Sequence, residues 1–139
     1  MTAAIREAHA RDLAAILTIA STLPWDKTRY LTDALANGHA FVAEGEDGVV
    51  AFAVWNREFF SLPFLWLVVT EPHHRGFGIA TRLLEEFERR AGPGRVFSST
   101  NASNATMQRI FERFGYERCG DLDLDPGDRE IFYVKTARS

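Results

Sequence analysis

The sequence predicts a mixed α/β domain, and three observations lead to that prediction. Apolar residues recur at helical spacing in four segments, with short β-rich runs between them. The segments follow one another in the order β-α-α-β-β-β-α-β-α-β-β, so strands and helices are interleaved along the chain. The chain has 139 residues and contains no repeat, linker or low-complexity stretch. We therefore expect one domain that spans residues 1–139.

The first part of the chain is predicted to hold a strand and two helices, at Ala3–Glu7, at Ala10–Ser21 and in a segment that starts near Thr28. The first helix places its apolar residues on one face, and Pro24 and Trp25 interrupt it. Asp26 or Thr28 can cap the second helix, because a side-chain oxygen there accepts a bond from a free helical N–H. The Asn37-Gly38 pair stops this helix.

Three strands are predicted next, at His39–Glu44, Val49–Asn56 and Phe64–Thr70. The first two are separated by Gly45-Glu46-Asp47-Gly48, a strong hairpin signal. The third is apolar at nearly every position, which predicts burial on both faces at the centre of the sheet. Pro63 can start it, because proline is tolerated at the first residue of a strand.

The remaining elements are predicted as a helix ended by Gly92-Pro93-Gly94, a strand at Val96–Thr100, a helix with Met107, Ile110, Phe111 and Phe114 inward, and a hairpin of Tyr116–Leu124 with Arg129–Lys135. Ser103 or Asn101 can cap the last helix, and Gly115 suits its left-handed end. Pro126-Gly127 at the centre of the hairpin loop predicts a type II turn.

Composition and charge exclude several classes of protein. The chain is 46% apolar and 25% charged, as in a globular protein, and its formal charge is −3 with no long basic run, which disfavours nucleic acid as a partner. Cys119 is the single cysteine, so no internal disulfide is possible and a reducing compartment is expected. The N-terminus lacks the apolar core of a signal peptide, and no apolar run is long enough to cross a bilayer. We expect a cytoplasmic protein that does not bind membranes.

The segment HHRGFGIA carries the clearest chemical signal, because it lies between an apolar strand and an amphipathic helix. Gly76 and Gly78 lack a Cβ, so a phosphate can approach the backbone closely, and the first N–H groups of the following helix are free to bind it. A dinucleotide fingerprint would need a third glycine where Thr81 stands. A P-loop is excluded because no Gly-Lys-Ser or Gly-Lys-Thr occurs.

The spacing Arg75-x-x-Gly78-x-Ala80 resembles the acyl-CoA pyrophosphate loop of the GNAT superfamily of N-acetyltransferases. A second resemblance lies downstream, in NASNATMQRIFERFGYE, where the family pattern of an Asn, an aromatic and a Gly-aromatic pair falls on Asn104, Phe111, Gly115 and Tyr116. The resemblance covers the whole chain. It implies a GNAT fold, in which a central, mostly antiparallel sheet is flanked by helices.

The resemblance also implies acetyl-CoA as the acyl donor, and no metal. It assigns the pyrophosphate to the backbone N–H groups of Arg75, Gly76, Gly78, Ala80 and Thr81. It pairs Val68 and Thr70 with the pantetheine arm and implies that the strands at 64–70 and 96–100 splay apart to admit the thioester. Asn104 would lie near that arm, although the same side chain can cap a helix. Phe111 would lie on the helix that borders the cofactor.

The implied reaction is direct attack of a primary amine on the thioester. An alkylammonium titrates near pH 10, so a base or a water chain must first remove a proton. Ribosomal-protein acetyltransferases of the family carry a Glu base where this chain has Ser99, and many members carry a tyrosine acid where it has Phe111. Glu58 after the strand ending at Asn56, and Tyr133 on the last strand, are the replacement candidates. Their alternatives are a solvated loop acid and a core tyrosine.

Several other residues have two interpretations. A group of aromatic residues can line an acceptor pocket or pack in the core: Trp25, Tyr30, Trp55, Phe59 and Phe60. Adjacent His73 and His74 diverge and have no third ligand near them, so they are interpreted as solvated turn residues. A calcium loop starting at Asp121 would have glycine sixth and glutamate twelfth, but Pro126 and Phe132 stand there.

The sequence leaves the acceptor open, as a small-molecule or peptide amine, and it allows a monomer or a homodimer. The alternative function is a catalytically silent acyl-CoA-binding or sensor module of the same fold, because the family's Glu and Tyr are both replaced. Release of free CoA from acetyl-CoA in the presence of amines separates the two functions.

Overall fold

The computed structural model describes residues 3–24 and 26–137. Trp25, a candidate for the acceptor pocket, lies outside the described residues. The elements within them are β1 Ala4–Glu7, α1 Leu13–Ala20, α2 Thr28–Ala36, β2 Ala40–Gly45, β3 Gly48–Phe59, β4 Leu62–Thr70, α3 Ile79–Ala91, β5 Gly94–Asn101, α4 Ala105–Arg113, β6 Glu117–Leu122 and β7 Glu130–Ala137. Short 3-10 turns precede α1 and follow β4. The predicted order of elements is confirmed.

The strands form a sheet in the order β1-β2-β3-β4-β5-β7-β6. The pairs β1/β2, β2/β3, β5/β7 and β6/β7 are antiparallel. Strands β4 and β5, which are connected through α3, pair in parallel, because a helical crossover returns the chain in its original direction. The predicted mixed α/β fold with a mostly antiparallel sheet and flanking helices is confirmed.

The chain divides into two compact units. The first unit comprises Met1–Trp55 and Leu67–Glu86, and the second comprises Asn56–Trp66 and Phe87–Ser139. The expectation of a single domain over residues 1–139 stays a prediction.

The core of the first unit is formed by apolar residues of α1 and α2 with those of β2 and β3. Its largest buried members include Ile16, Leu31, Val42 and Phe52. Beside this core, Arg6 donates to both carboxylate oxygens of Asp12 at 2.8 and 3.0 Å, and its Nε donates to Glu44. These bonds lower the pKa of buried Asp12 to about 2, the hydrogen bonding from Arg6 being the main cause.

The core of the second unit includes a stack of aromatic rings. Phe111 of α4 lies against Tyr133 of β7, with ring centroids 4.8 Å apart, and against Tyr116 at 5.3 Å. The Tyr116 hydroxyl donates to Glu88 at 2.8 Å, and Lys135 donates to the same carboxylate. Burial and the nearby Glu88 charge raise the pKa of Tyr116. The Gly-aromatic pair at the end of α4 therefore anchors that helix.

Two predictions about β3 and β4 are wrong. The sequence places the end of β3 at Asn56 and Glu58 in a loop, but β3 continues to Phe59, because no proline or glycine interrupts it. The turn to β4 is made by Phe60 and Ser61, with φ of 53° and 63°, a region that residues other than glycine seldom adopt. Burial of β4 on both faces also fails at Trp66, which is 38% exposed.

The ends of other elements follow local chemistry. Asn104, not Ser103 or Asn101, caps α4, since its Oδ1 accepts from Met107 N at 3.1 Å. Asp26 accepts from Thr28 N at 2.9 Å before α2, one of the two predicted arrangements. The predicted turn between β6 and β7 is confirmed: Gly127 has a φ of 88°, and Asp128 N donates to Asp125 O.

Among the described residues, the longest and most apolar helices fall short of what is needed to span a bilayer.

Candidate functional site

The glycine turn between β4 and α3 has the conformation that a close backbone approach requires. Gly76 and Gly78 have φ of 86° and 77°, values that L side chains seldom adopt. Apart from its own residue and its two chain neighbours, a Cβ added at either position would meet no described atom within 4 Å, so the space in front of the turn is open. Phe77 between them is 58% exposed. A ligand can therefore reach the backbone of this turn directly.

Helix α3 begins at Ile79, immediately after the turn. Arg82 N donates to Gly78 O at 3.1 Å, so the N–H groups of Ile79, Ala80 and Thr81 precede the first helical hydrogen bond. With the positive end of the helix dipole, these N–H groups favour an anion. The cofactor-binding roles predicted for Ala80 and Thr81 are compatible with this geometry and stay predictions.

Glu71, which the sequence analysis did not single out, holds the turn. Its carboxylate accepts from the backbone N–H of His73 and contacts Nδ1 of His73 at 2.9 Å and Nδ1 of His74 at 2.6 Å. The hydrogen bond with His74 is the main cause that lowers the pKa of Glu71. The signal in the sequence was Glu71-Pro72, an acceptor followed by a proline at the first position of a helical turn.

Arg75 is exposed, and its Nε donates to Thr70 O at 3.2 Å, which joins the turn to the end of β4. Val68 and Thr70, the predicted partners of the pantetheine arm, are half-buried. The β4/β5 ladder consists of Phe64 with Phe97 and Leu65 with Ser98. The predicted splaying of these strands beyond the ladder, and the cofactor roles of Val68, Thr70 and Arg75, stay predictions.

Three of the four predicted site residues of the second unit, Asn104, Phe111 and Tyr133, lie on or next to α4 and β7. Asn104 is exposed and caps α4 through the bond to Met107. Phe111 is 1% exposed and packed on Tyr133, which is equally buried. Burial raises the pKa of Tyr133, and the charge of Glu112 acts in the same direction. The cofactor-binding roles of Asn104 and Phe111 and the catalytic role of Tyr133 stay predictions.

Glu58, the predicted base, lies on β3 and is exposed. Asn56 Nδ2 donates to its Oε2 at 2.7 Å, and the Glu58 N–H donates to Asn56 Oδ1. The same Oδ1 accepts from the Trp66 indole at 2.7 Å. Asn56 therefore fixes the Glu58 carboxylate beside the indole ring, an arrangement that requires pairing of β3 with β4 and cannot be read from spacing alone.

Five aromatic residues of β3, β4, β5 and β7 form one cluster in the second unit, here called the aromatic wall: Phe59, Phe64, Trp66, Phe97 and Phe132. The Phe59 centroid lies 4.8 Å from Phe64 and 5.3 Å from Phe97, and its ring is stacked at 6.4 Å on Phe132. Phe60, at the turn, is 84% exposed and packs edge-on against Phe59. The wall is partly exposed at Trp66, Phe59 and Phe132.

A carboxylate that sequence reasoning missed lies next to Ser99. Glu130 opens β7 opposite Asn101 of β5. Its Oε2 accepts from the Ser99 hydroxyl at 2.6 Å, and its Oε1 accepts from Asn101 Nδ2 at 3.1 Å. The strands β5 and β7 are far apart in sequence, so only their register shows that a glutamate stands beside the serine.

The first unit contains a cavity of about 350 Å³ lined by α1, α2 and the segment between them, Lys27 among the lining residues. Burial lowers the pKa of Lys27 to about 8. Tyr30 packs against the core of this unit, and Trp55 is half-buried on β3. Of the aromatic residues with two interpretations, Tyr30 is thus a packing residue, whereas Phe59 and Phe60 belong to or adjoin the aromatic wall.

Comparisons with known proteins agree with this geometry. The sequence profile of the Acetyltransferase (GNAT) domain matches residues 36–118, more than half of the chain. None of the curated proteins compared with the chain matches it.

Solved structures give the same result over nearly the whole chain. A GNAT-family acetyltransferase from Bacillus cereus ATCC 10987 is 27% identical, with a TM-score of 0.92 over 100% of both chains. The ribosomal-protein-alanine N-acetyltransferase from Brucella melitensis is 26% identical, with a TM-score of 0.75 over 96% of this chain and 99% of its own. The ribosomal-protein-S18-alanine N-acetyltransferase from Escherichia coli, 20% identical, shares the fold with a TM-score of 0.79, over 99% and 96% of the two chains. With the domain match and the glycine turn before α3, the chain belongs to the GNAT family of acetyltransferases.

Proposed function

We propose that the protein is an acetyl-CoA-dependent N-acetyltransferase that transfers the acetyl group to a primary amine. The observation that carries the proposal is the turn at Gly76 and Gly78, where open space faces a positive-φ backbone and the free N–H groups of α3. A diphosphate fits there because it needs several donors and close backbone approach. The N–H groups of Arg75, Gly76, Gly78, Ala80 and Thr81 are the proposed donors.

The chemistry is attack of the amine nitrogen on the thioester carbonyl. The developing oxyanion needs a preorganised donor, and we place a backbone N–H near Thr70 in that role. Val68 and Thr70 would pair with the pantetheine arm, while Asn104 and Phe111 would border it. Glu58 is the base that the sequence offers, and Asn56 holds its carboxylate in place. Tyr133 is the acid that the sequence offers.

A silent acyl-CoA-binding module is the second candidate. Phe111 favours it, because a phenyl ring that is 1% exposed stands where many family members carry a tyrosine acid. The two candidates share the donor site and differ only in turnover.

The acceptor is a small-molecule or peptide amine in this proposal. Two similar structures are named as ribosomal-protein-alanine acetyltransferases. Ser99 in place of the family's glutamate base argues against the same acceptor here. We further propose a cytoplasmic enzyme, monomeric or homodimeric, acting where acetyl-CoA is supplied.

The test is release of free thiol from acetyl-CoA with a panel of amines, namely ethylamine, 2-phenylethylamine, spermidine and a short peptide with a free N-terminus. Calorimetry with CoA runs in parallel. We expect micromolar-range CoA binding and amine-dependent thiol release. CoA binding without thiol release for every amine would favour the silent module, and absence of CoA binding would overturn both functions.

A further inference from the structure

We propose that Glu130 is the residue that takes the proton from the acceptor ammonium, and that the acceptor is a primary amine carrying a nearby apolar or aromatic group. This inference rests on the proposed acetyltransferase function and deepens it. The observation behind it is the juxtaposition of the Glu130 carboxylate, Ser99 and the aromatic wall on one face of the sheet in the second unit.

The Glu130 carboxylate is held in place by two side chains of the neighbouring strand. Ser99 and Asn101, two residues apart on β5, donate to its two oxygens at 2.6 and 3.1 Å. Each carboxylate oxygen has a further lone pair, so both can accept a hydrogen bond from an ammonium group. Glu130 is only partly buried, which leaves this capacity accessible. A carboxylate fixed by two donors needs little reorganisation to accept a proton.

The replacement of a glutamate by Ser99 thus does not leave the region without a carboxylate. Side chains two residues apart on a strand share a face, so Phe132 lies on the same face as Glu130, and Phe97 lies on the same face as Ser99. The ring centroids of Phe132 and Phe64 are 6.0 Å apart, so the aromatic wall lies on this face as well. Glu130 therefore stands at one end of an aromatic surface.

The aromatic wall defines the class of acceptor. Trp66, Phe59 and Phe132 are all partly exposed, and aromatic faces attract both ammonium groups and other rings. A polyamine or a sugar amine would leave this apolar surface unmatched. An amine joined by a short linker to an apolar or aromatic group would place its ammonium at Glu130 and its apolar part on the wall.

Glu130 takes one proton from R–NH3⁺, which gives R–NH2 and the protonated carboxyl group. The nitrogen lone pair then forms the C–N bond, and the C–S bond breaks with its electron pair left on sulfur. A second N–H proton of the adduct goes to that thiolate to give CoA–SH, and the Glu130 proton returns to solvent.

The experiment compares kcat/KM for 2-phenylethylamine from pH 7 to 9 in the wild type and in Glu130→Gln, Glu58→Gln and Glu117→Gln. Glu117 is an exposed strand glutamate of the same unit and provides the matched control. We expect a nearly flat wild-type profile, because the amine stays mostly in its ammonium form below about pH 10 and Glu130 removes the proton within the complex, so the rate does not follow the fraction of free amine in solution. In Glu130→Gln, kcat/KM should be about 10²- to 10⁴-fold lower than in the wild type at pH 7. It should rise about tenfold per pH unit, because only free amine then reacts. Glu117→Gln should match the wild type, and CoA affinity should be unchanged in all variants.

Two further measurements test the role of Glu130 and the acceptor class independently of the Glu130→Gln variant. Glu130→Asp keeps a carboxylate, so its profile should stay flat at a lower rate; a rising profile would overturn the role even if Glu130→Gln fails to fold. Wild-type kcat/KM should be about tenfold or more higher for 2-phenylethylamine than for ethylamine, and equal values would overturn the acceptor class.

The outcomes separate the two levels of inference. Wild-type enzyme that binds CoA but transfers to no amine would overturn the proposed function, and this inference with it. If Glu130→Gln transfers to the amine at the same rate as the control Glu117→Gln and keeps a flat pH profile, only the role of Glu130 is overturned. Loss confined to Glu58→Gln would do the same and assign the base to Glu58. Loss of CoA affinity in a folded Glu130→Gln variant would show a structural role and overturn the catalytic one.

Discussion

A methyl group added at Gly78 should weaken CoA binding much more than it lowers the stability of the fold. Gly78→Ala adds a Cβ to a residue with φ of 77°, and apart from its own residue and its two chain neighbours no described atom lies within 4 Å of that Cβ. Without CoA, the unfolding free energy should therefore decrease by only about 1–2 kcal/mol, the cost of an alanine in the left-handed conformation. The melting temperature should fall by a few degrees.

The effect on CoA binding should be larger and different in kind. The Cβ occupies the open space in which the diphosphate is proposed to lie, and it pushes a phosphate oxygen away from the first N–H groups of α3. Loss of one charge-assisted hydrogen bond costs about 1.5–3 kcal/mol, which is about a 10- to 150-fold increase in Kd. Gly78→Glu adds bulk and like charge and should abolish measurable binding.

Gly92 provides the matched control. It follows α3 with φ of 81°, and a Cβ there also meets nothing within 4 Å. Gly92→Ala should lower the melting temperature as much as Gly78→Ala does and leave the calorimetric Kd for CoA unchanged. Equal affinities in the two variants, with both folded by circular dichroism, would refute the assignment of the diphosphate to this turn.

Three other predictions concern groups whose burial the structure defines. Phe111→Tyr should change the rate by less than about tenfold but lower the melting temperature, because a hydroxyl added at a 1% exposed site costs about 1–3 kcal/mol; a larger rate loss in a folded variant would show that the position needs an apolar ring. Asp12 has a folded pKa of about 2, below its unfolded value of 3.8, so its contribution of up to about 2 kcal/mol should be present above pH 4 and be lost as the pH falls to about 2. Acid titrations of wild type and Asp12→Asn that run parallel would contradict this. Lys27 has a folded pKa of about 8 against 10.5 unfolded, so the unfolded chain binds more protons between these values, and unfolding free energy should rise with pH there in the wild type relative to Lys27→Met. A constant difference in urea melts from pH 7 to 10 would contradict it.

The conformation of the glycine turn could be predicted from the sequence because its residues are contiguous. Arg75 to Thr81 form one short segment, and glycine spacing reports directly on backbone conformation, as the φ values of Gly76 and Gly78 show. The order of elements was predictable for the same reason, since helical and strand periodicities are local properties.

Features that depend on pairing between distant segments were not predictable. The position of Glu58 inside β3 depends on a turn at Phe60 and Ser61, which contains no glycine from which the turn could be predicted. Glu130 could be identified as a neighbour of Ser99 only from the pairing of β7 with β5, because Ser99 lies about thirty residues earlier in the chain.

The register of β7 ties the proposed base to the core of the second unit. Ile131 and Tyr133 are 4% and 1% exposed, and Tyr133 is stacked on Phe111. Because side chains alternate along a strand, burial of these two residues directs Glu130 and Phe132 to the opposite face. A slip of one residue would bury the Glu130 carboxylate and expose Ile131, so the register is strongly specified. Phe111 therefore contributes to the proposed chemistry without donating a proton: as the ring packed on Tyr133, it helps to fix the strand that carries Glu130.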